Sequence, residues 1–357
     1  MYNESQAILI TGGAGFIGAT LARRLAHHHP LIVLDLLTYA GDLSRLNGLI
    51  PERITWVKGD ICDEALVREQ LERHQPCAII HCAAESHVDR SIDGPSAFLK
   101  TNVEGTMTLL RCATDYWRAL DETAKSQFRF LHVSTDEVFG SLDWDEPAFH
   151  EESTYRPSSP YAASKAASDH FVRAWFQTYG LPTLITHCSN NYGPWQFPEK
   201  LIPLMISKCL SETPLPIYGD GSNIRDWIHV EDHVTALCEV LTHAQPGSSW
   251  GIGGEAELTN LTLVELICDI LDILKPKHNG SSYREQMTFV QDRPGHDRRY
   301  AINNQKIENL LKWRPTIPIS KGLRETVKWY LNAESWLVKV AERGSYTGQP
   351  RLGVRQS

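Results

Sequence analysis

The chain has 357 residues, 42% hydrophobic and 22% charged, with a formal net charge of −8. That is the make-up of a globular protein with room for one large domain or two, and it is too acidic overall to favour a nucleic-acid partner. No run approaches the roughly 18 apolar residues of a membrane-spanning helix, and the opening MYNESQAILITGG lacks the basic-then-apolar pattern of a signal peptide, so neither a membrane partner nor export is expected.

The eight cysteines are scattered without CxxC or metal-type spacing, which predicts free thiols in a reducing cytoplasm and no metal site. In chain order, AILIT (7–11), LIVLD (31–35), ITWVKGD (54–60), CAIIHCAA (77–84), FRFLHVS (128–134) and PTLITHCS (182–189) read as strands. They are continuously apolar, as in a parallel sheet buried on both faces. Helical patterns at 17–28, 65–74, 102–120 and 162–179 fall between them, and strand–helix alternation of this kind indicates a doubly wound α/β fold. The triplet His27–His29 precedes Pro30 and reads as the solvated end of the first helix rather than a metal tract.

After residue 189 the texture changes to Pro, Gly and aromatics, with helices expected at 230–242 and 261–274 and a strand at 287–290. Residues 1–189 and about 226–250 are expected to form a Rossmann domain. Residues about 190–225 and 251–345 are expected to form a smaller mixed domain that covers the substrate.

Gly12, Gly15 and Gly18 lie directly between the first strand and the first helix. Glycines there permit a tight turn and close backbone approach to a pyrophosphate, and the helix N-terminus supplies N–H donors. Asp35 ends the next strand, where a carboxylate accepts from both ribose hydroxyls and repels a 2′-phosphate, so NAD is expected rather than NADP. Asp60 and Ile61, after the third strand, are placed to meet an adenine edge.

Two further features concern chemistry. Tyr161 and Lys165 are four apart on a helical pattern, hence on one face, and a nearby ammonium favours a phenolate. The bland alternative is a surface Tyr and Lys on an amphipathic helix. The apolar strand at 128–134 ends in Thr135, Asp136 and Glu137, two adjacent carboxylates with no cation between them. Solvated acids at a strand end are the bland reading of that pair.

The motifs TGGAGFIG, LTYAG, GDICD, AAESHVDRSI, TNVEGT, STDEVFG, SPYAASKAASDH, SNNYGPWQFPEKLIP, PLPIYGDGSNIRDW, VEDH, YREQMTFVQDRPGHDRRYAI and GLRETVKWY run in order along nearly the whole chain. Together they resemble the dTDP-glucose 4,6-dehydratase family of the extended short-chain dehydrogenase/reductases. The resemblance implies a hydro-lyase that oxidises dTDP-glucose at C4, removes water across C5 and C6, reduces C6, and regenerates NAD. It makes Tyr161 the base at the 4-hydroxyl, assisted by Lys165 and Thr135. Glu137 becomes the base at C5 and Asp136 the acid at the departing C6 hydroxyl. One carboxyl must then be protonated while its neighbour is ionised.

By the same resemblance the cofactor crevice takes in Phe16, Ile17, Leu36, Leu37, Thr38, Cys82, Ala83, Ala84, Ser86, Thr101 and Asn191. Substrate contacts are expected from Ser86, Thr135, Asn190, Glu199, Lys200, Pro216, Ile217, Tyr218 and Arg225, and from Asn260, Asp292, Arg293, His296 and Tyr300. Arg225 and Arg293 suit a diphosphate and offset the negative chain, although Arg225 could instead pair with Asp226. A homodimer through the helices at 102–120 and 162–179 is also implied. Departures from the family pattern are Phe139 for Tyr, Leu36 for Lys, Cys82 for Leu and Gly251 for Asn. An epimerase, or a dehydratase for another nucleotide sugar, is the competing enzyme reading, and a silent NAD sensor the competing non-enzyme reading.

Overall fold

The computed structural model describes residues 6–293 and 295–343. Residues 1–5 of the N-terminal segment read for a signal-peptide pattern, and 294 and 344–345 of the expected smaller domain, lie outside the described residues.

Twelve strands are found among the described residues: β1 (Ile8–Thr11), β2 (Leu31–Asp35), β3 (Ile54–Lys58), β4 (Ala78–His81), β5 (Arg129–Thr135), β6 (Thr183–Cys188), β7 (Asn190–Tyr192), β8 (Leu215–Tyr218), β9 (Ile224–His229), β10 (Ser249–Ile252), β11 (Glu257–Thr259) and β12 (Met287–Val290). Seven form one parallel sheet in the order β10-β6-β5-β4-β1-β2-β3. The six strands read from the sequence are all in it. The seventh, β10, is short, and its buried Trp250 and Ile252 fall within a Gly-rich stretch that carries no strand pattern.

Each apolar strand feeds two cores at once, which is why no polar alternation marks it. Ile10, Val33, Ile80, Val133 and Leu184 pack on one face, with Val234, Leu237 and Leu241 of the Val230–His243 helix. Leu9, Ile32, Ile79, Phe130 and Ile185 pack on the other, with Leu109 and Leu110 of the Thr106–Ala119 helix. The chain order reverses between β1 and β4, and a crevice at the carboxyl ends of these strands is the usual ligand position in such sheets.

Two local features aim residues at that crevice. The Pro160–Tyr179 helix begins at Ser159, whose hydroxyl accepts from the Ala162 N–H, with Pro160 in the first turn and Gly180 at φ +75° closing the far end. Its start is thereby fixed, and Tyr161 and Lys165 face the sheet. A π-helical segment, Leu99–Gly105, precedes the Thr106–Ala119 helix where the sequence predicted plain α-helix. Wide turns of this kind recur at functional sites. Here Asn102 is turned inward: its amide donates to Glu85 O (3.0 Å) and Ser164 Oγ (2.8 Å), and its oxygen accepts from Glu85 N (2.9 Å).

A second apolar cluster holds Tyr192, Ile202, Met205, Ile206, Leu215, Leu263, Ile267, Leu323, Val327 and Tyr330. It lies beside the three-stranded β11-β9-β7 sheet and the β12-β8 pair. Ile307 and Trp313 instead join the core of the large sheet. We therefore propose that 305–313 belongs with the larger part, within the range the sequence assigns to the smaller one. No helix among the described residues is long and apolar enough to cross a membrane.

Candidate active site

A cavity of about 310 Å³ opens where the sheet order reverses. Gly12 adopts φ +67°, and a Cβ on it would lie 2.6 Å from Ala83 N. A Cβ on Gly18 would collide with Gly12 O, whereas one on Gly15 would meet only Gly12 O, at 3.0 Å, and would otherwise occupy the crevice. The Phe16–Leu25 helix starts at Gly15 with no side-chain cap, so its first N–H groups remain available to an anion. Asp35 is held by Ala14 N (3.0 Å) and Leu37 N (2.8 Å), one amide per oxygen, which leaves acceptor capacity for diol hydroxyls. Burial raises its carboxyl, against these two backbone bonds.

Phe16, Ile17, Leu36, Thr38, Asp60 and Ile61 line this crevice at the expected end. Cys82, Ala83, Ala84, Ser86, Thr101 and Asn191 line its continuation toward Tyr161 and Lys165. Leu37 is the exception: it does not line the wall and acts through its N–H on Asp35. No sequence pattern marks Arg45, which is almost fully buried and donates to Ala14 O (2.8 Å), Ala40 O (2.6 Å) and Trp195 O (3.1 Å). It ties the glycine loop to the loop after β2, and its only sequence mark is a lone Arg in a polar stretch.

Thr135 ends β5, and Asp136–Phe139 form a single 3₁₀ turn closed by Gly140 at φ +86°. Thr135 Oγ1 donates to Asp136 Oδ1 and accepts from Glu137 N, both at 3.3 Å. Asp136 is 1% exposed, and its Oδ2 has no hydrogen-bond partner among the described residues. A solvated strand end is excluded. Burial, then the neighbouring Glu137 and Asp226, push the Asp136 carboxyl well above its usual range. Burial raises Glu137 too, but Arg293, Lys200 and Arg225 oppose the rise. Asp136 thus keeps its proton the more strongly.

Tyr161 and Lys165 are both buried, so the surface-helix alternative is also excluded. The expected lowering of Tyr161 is reversed: burial, then Glu137, push its phenol well above the usual value. The reason lies in what surrounds the pair. Both groups are buried with acids close by, and the Lys165 amine donates to Val133 O (2.9 Å), with His132 Nε2 3.3 Å away.

A second cavity, about 270 Å³, adjoins the first, and Ser86, Glu137, Asn190, Glu199 and Lys200 line both. Pro216, Ile217, Tyr218, Arg225, Asn260, Arg293, His296 and Tyr300 line this second cavity as expected, whereas Thr135 lines the first. Arg225 does not pair with Asp226. The two point to opposite faces of β9: Arg225 donates to Asp297 O (3.0 Å) and stacks 4.3 Å from the Tyr300 ring centre, and Asp226 accepts from Gly254 N (2.9 Å) and Ala256 N (2.8 Å). Arg293 meets Asp89 at 3.1 Å, and Glu199 takes the Tyr39 hydroxyl at 2.8 Å and Arg90 at 3.3 Å.

Asp292 stands outside the cavity wall and pairs with His296 Nδ1 at 2.6 Å, so it orients a residue of that wall. His87, Asp89, Arg90 and Trp227 line the cavity without having been foreseen. The first three lie in the AAESHVDRSI motif, of which Ala83, Ala84 and Ser86 had been singled out. Two departures explain themselves. Phe139 is buried among Phe149, Tyr155 and His187, with no partner needed for a hydroxyl. A Cβ on Gly251 would lie 2.9 Å from the Ile302 side chain, so this backbone has no room for Asn. Among the described residues no group of three or more His, Cys, Asp or Glu is placed to hold a metal.

A family model described as GDP-mannose 4,6 dehydratase matches residues 9–326. The dTDP-glucose 4,6-dehydratase of Salmonella typhimurium is 52% identical over 350 residues, covering 95% of this chain and 96% of that protein. The chain belongs to the dTDP-glucose 4,6-dehydratase family. The family enzyme of Haemophilus influenzae is 54% identical over 329 residues, 91% of this chain and 97% of the relative. Among solved structures, the dTDP-glucose 4,6-dehydratase DesIV of Streptomyces venezuelae, with NAD and TYD bound, superposes with a TM-score of 0.85 at 44% identity, over 94% of this chain and all of that one. A UDP-glucose 4-epimerase of Thermotoga maritima shares the fold more distantly, with a TM-score of 0.81 at 25% identity over 92% of this chain and all of its own.

Proposed function

We infer that the protein is a dTDP-glucose 4,6-dehydratase, converting dTDP-glucose to dTDP-4-keto-6-deoxyglucose and water. The observation that carries this reading is the position of Glu137 in the shared wall of the two cavities, with buried Asp136 next to it. An epimerase has no step for such a pair; an elimination needs both.

The glycine cradle, the open helix N-terminus and Asp35 fit NAD, with Asp60, Ile61 and Ala83 along its length. Bound NAD supplies the acceptor for the C4 hydride, the donor that returns it to C6, and a positive charge while oxidised. Tyr161, once ionised, takes the proton of the 4-hydroxyl, and Thr135 hydrogen-bonds the same oxygen. The C4 ketone makes the C5 hydrogen acidic, and Glu137 removes it and returns a proton to C5 when C6 is reduced. Asp136, the carboxyl held more strongly protonated, delivers its proton to the departing C6 hydroxyl. Arg225, Arg293 and Lys200 supply the local positive charge that a diphosphate requires on a chain of net −8.

The test is incubation of the holoenzyme with dTDP-glucose, followed by mass spectrometry. A 4-keto product lighter by one water is expected, with no stoichiometric NADH. A product of unchanged mass points to an epimerase, and NADH accumulating in step with product points to a simple dehydrogenase. Replacing the substrate with UDP-glucose or GDP-mannose tests the base.

We further propose a homodimer through the Thr106–Ala119 and Pro160–Tyr179 helices. Phe171, Trp175 and Tyr179 form an aromatic row at i, i+4 and i+8 on the second helix, and Tyr179 is 43% exposed. The eight free thiols support a reducing compartment, the cytoplasm.

A further inference from the structure

Beneath Tyr161 and Lys165 lies a buried polar cluster whose two anchors, His132 and Asp169, line neither cavity and take no part in the steps above. His81 on β4 pairs in register with His132 on β5, and Ser134 pairs with His187 on β6, so the three histidines share one face of the sheet. Asp169 meets them from the Pro160–Tyr179 helix, one turn beyond Lys165. Its Oδ2 accepts from Ser134 Oγ (2.8 Å) and Tyr155 OH (3.0 Å) and lies 3.2 Å from His187 Nε2. Its Oδ1 lies 3.2 Å from His132 Nε2, and the same nitrogen lies 3.3 Å from Lys165 Nζ. One imidazole atom therefore stands between a buried amine and a buried carboxylate.

An ammonium 4% exposed is costly unless an opposite charge compensates it. The groups facing Lys165 can be named. His81 and Cys82 approach from β4 and the turn after it, His132 from β5, Cys188 from β6, and Asp169 from its own helix, on which Tyr161 stands one turn before Lys165. Burial raises both thiols, Cys82 to about 12, so neither brings a charge at neutral pH. Burial lowers both His81 and His132, the latter to about 4, so they are neutral as well. Asp169 differs. Burial works to raise its carboxyl, but the bonds to His132 and His187 outweigh that and hold it well below the usual range. Around Asp169 itself stand His132, His187, Tyr155 and Lys165, with Arg173 reaching Tyr155 from the next turn of the helix.

We propose that Asp169, across the interposed His132 imidazole, is the counter-charge that keeps Lys165 an ammonium near Tyr161, and is thereby a positioning residue of the C4 oxidation. This rests on the dehydratase reading of the site. Neutralising Asp169 leaves the ammonium uncompensated, so Lys165 loses its proton at lower pH and from there no longer favours the Tyr161 phenolate.

The experiment mixes holoenzyme rapidly with dTDP-glucose from pH 5.5 to 10 and follows the burst of enzyme-bound NADH. In Asp169→Asn the alkaline limb of the burst rate is expected to move down by about one unit or more, the effect of losing a close opposite charge, while the acid limb does not move up. Above the displaced limb the burst slows roughly tenfold for each unit of displacement. His132→Leu, which removes the interposed imidazole, is expected to move the alkaline limb the same way by less. His132→Gln, whose carbonyl can accept from Lys165 while its amide donates to Asp169, is expected to restore the parent limbs. If Asp169→Asn does not fold, the two His132 variants decide. Limbs that stay in place while the plateau falls make the cluster a packing element and overturn the proposal. A parent enzyme that gives neither burst nor product fails the functional reading instead.

Discussion

Adjacent carboxyls in a dry turn are an uncommon expense for a fold, and Asp136 shows what the expense secures. Its proton affinity is raised by burial first, and further by Glu137 and Asp226, while Glu137 is steadied by three cations at the cavity wall. The acid and the base are thus separated by environment, not residue type. Asp136→Asn and Glu137→Gln should each lower overall turnover by about 10²–10⁴-fold, the usual worth of general acid–base catalysis, while a burst of bound NADH survives. Tyr161→Phe should abolish that burst, as stopped-flow absorbance will show. A stability effect follows with a definite sign. A carboxyl whose folded-state pKa is raised contributes stability fully present below its unfolded value of about 3.9 and lost as pH rises through the folded value. Asn carries no such loss. Asp136→Asn should therefore melt on the order of 2–4 °C higher than the parent at pH 8, with the gap closing toward pH 4, by calorimetry of both proteins.

The glycine turn and the Pro160–Tyr179 helix carry the site at the scale of elements. Gly18 is bound by packing, because a Cβ there strikes Gly12 O, whereas Gly15 is bound by function, because a Cβ there enters the crevice. Gly15→Ala should fold and melt within a few degrees of the parent, yet retain NAD more weakly by about tenfold or more, a penalty of roughly 1.4 kcal/mol. Gly18→Ala should lose both stability and cofactor. Measuring bound NAD in the purified variants beside their melting curves separates the two. The helix is aimed by its cap: Ser159 and Pro160 fix its first turn, and Gly180 ends it.

Over the whole molecule, the two cores of the large sheet and the apolar cluster of the smaller part flank one catalytic seam. Tyr39, on the loop after β2, reaches across to Glu199 at the start of the smaller part, so the loop bounding one cavity is bonded to a wall residue of the other. The outer face of the Pro160–Tyr179 helix, with Phe171, Trp175 and Tyr179, is where we expect the two-fold contact. Sedimentation at micromolar concentration should show twice the chain mass for the parent, and Trp175→Glu should shift the protein toward monomer by placing a charge in an apolar interface. A parent that sediments as a single chain removes the dimer.

The sequence alone determined what depends on local chemistry. The six strands of the large sheet announce themselves as buried apolar runs, the glycine turn by its spacing before a helix, and the reacting groups by the motifs STDEVFG and SPYAASK. Tertiary structure decided what depends on surroundings. The strand Ser249–Ile252 is held by pairing with β6 rather than by its own pattern, and the π-helical turn that directs Asn102 has no local signature. Asp292 has the residue type of a wall group but is turned onto His296. The direction of the Tyr161 shift could not be read from the Lys165 spacing. Four residues along a helix set which face two side chains share, but the proton affinity of a buried phenol is set by the water it has lost and by charges from other strands.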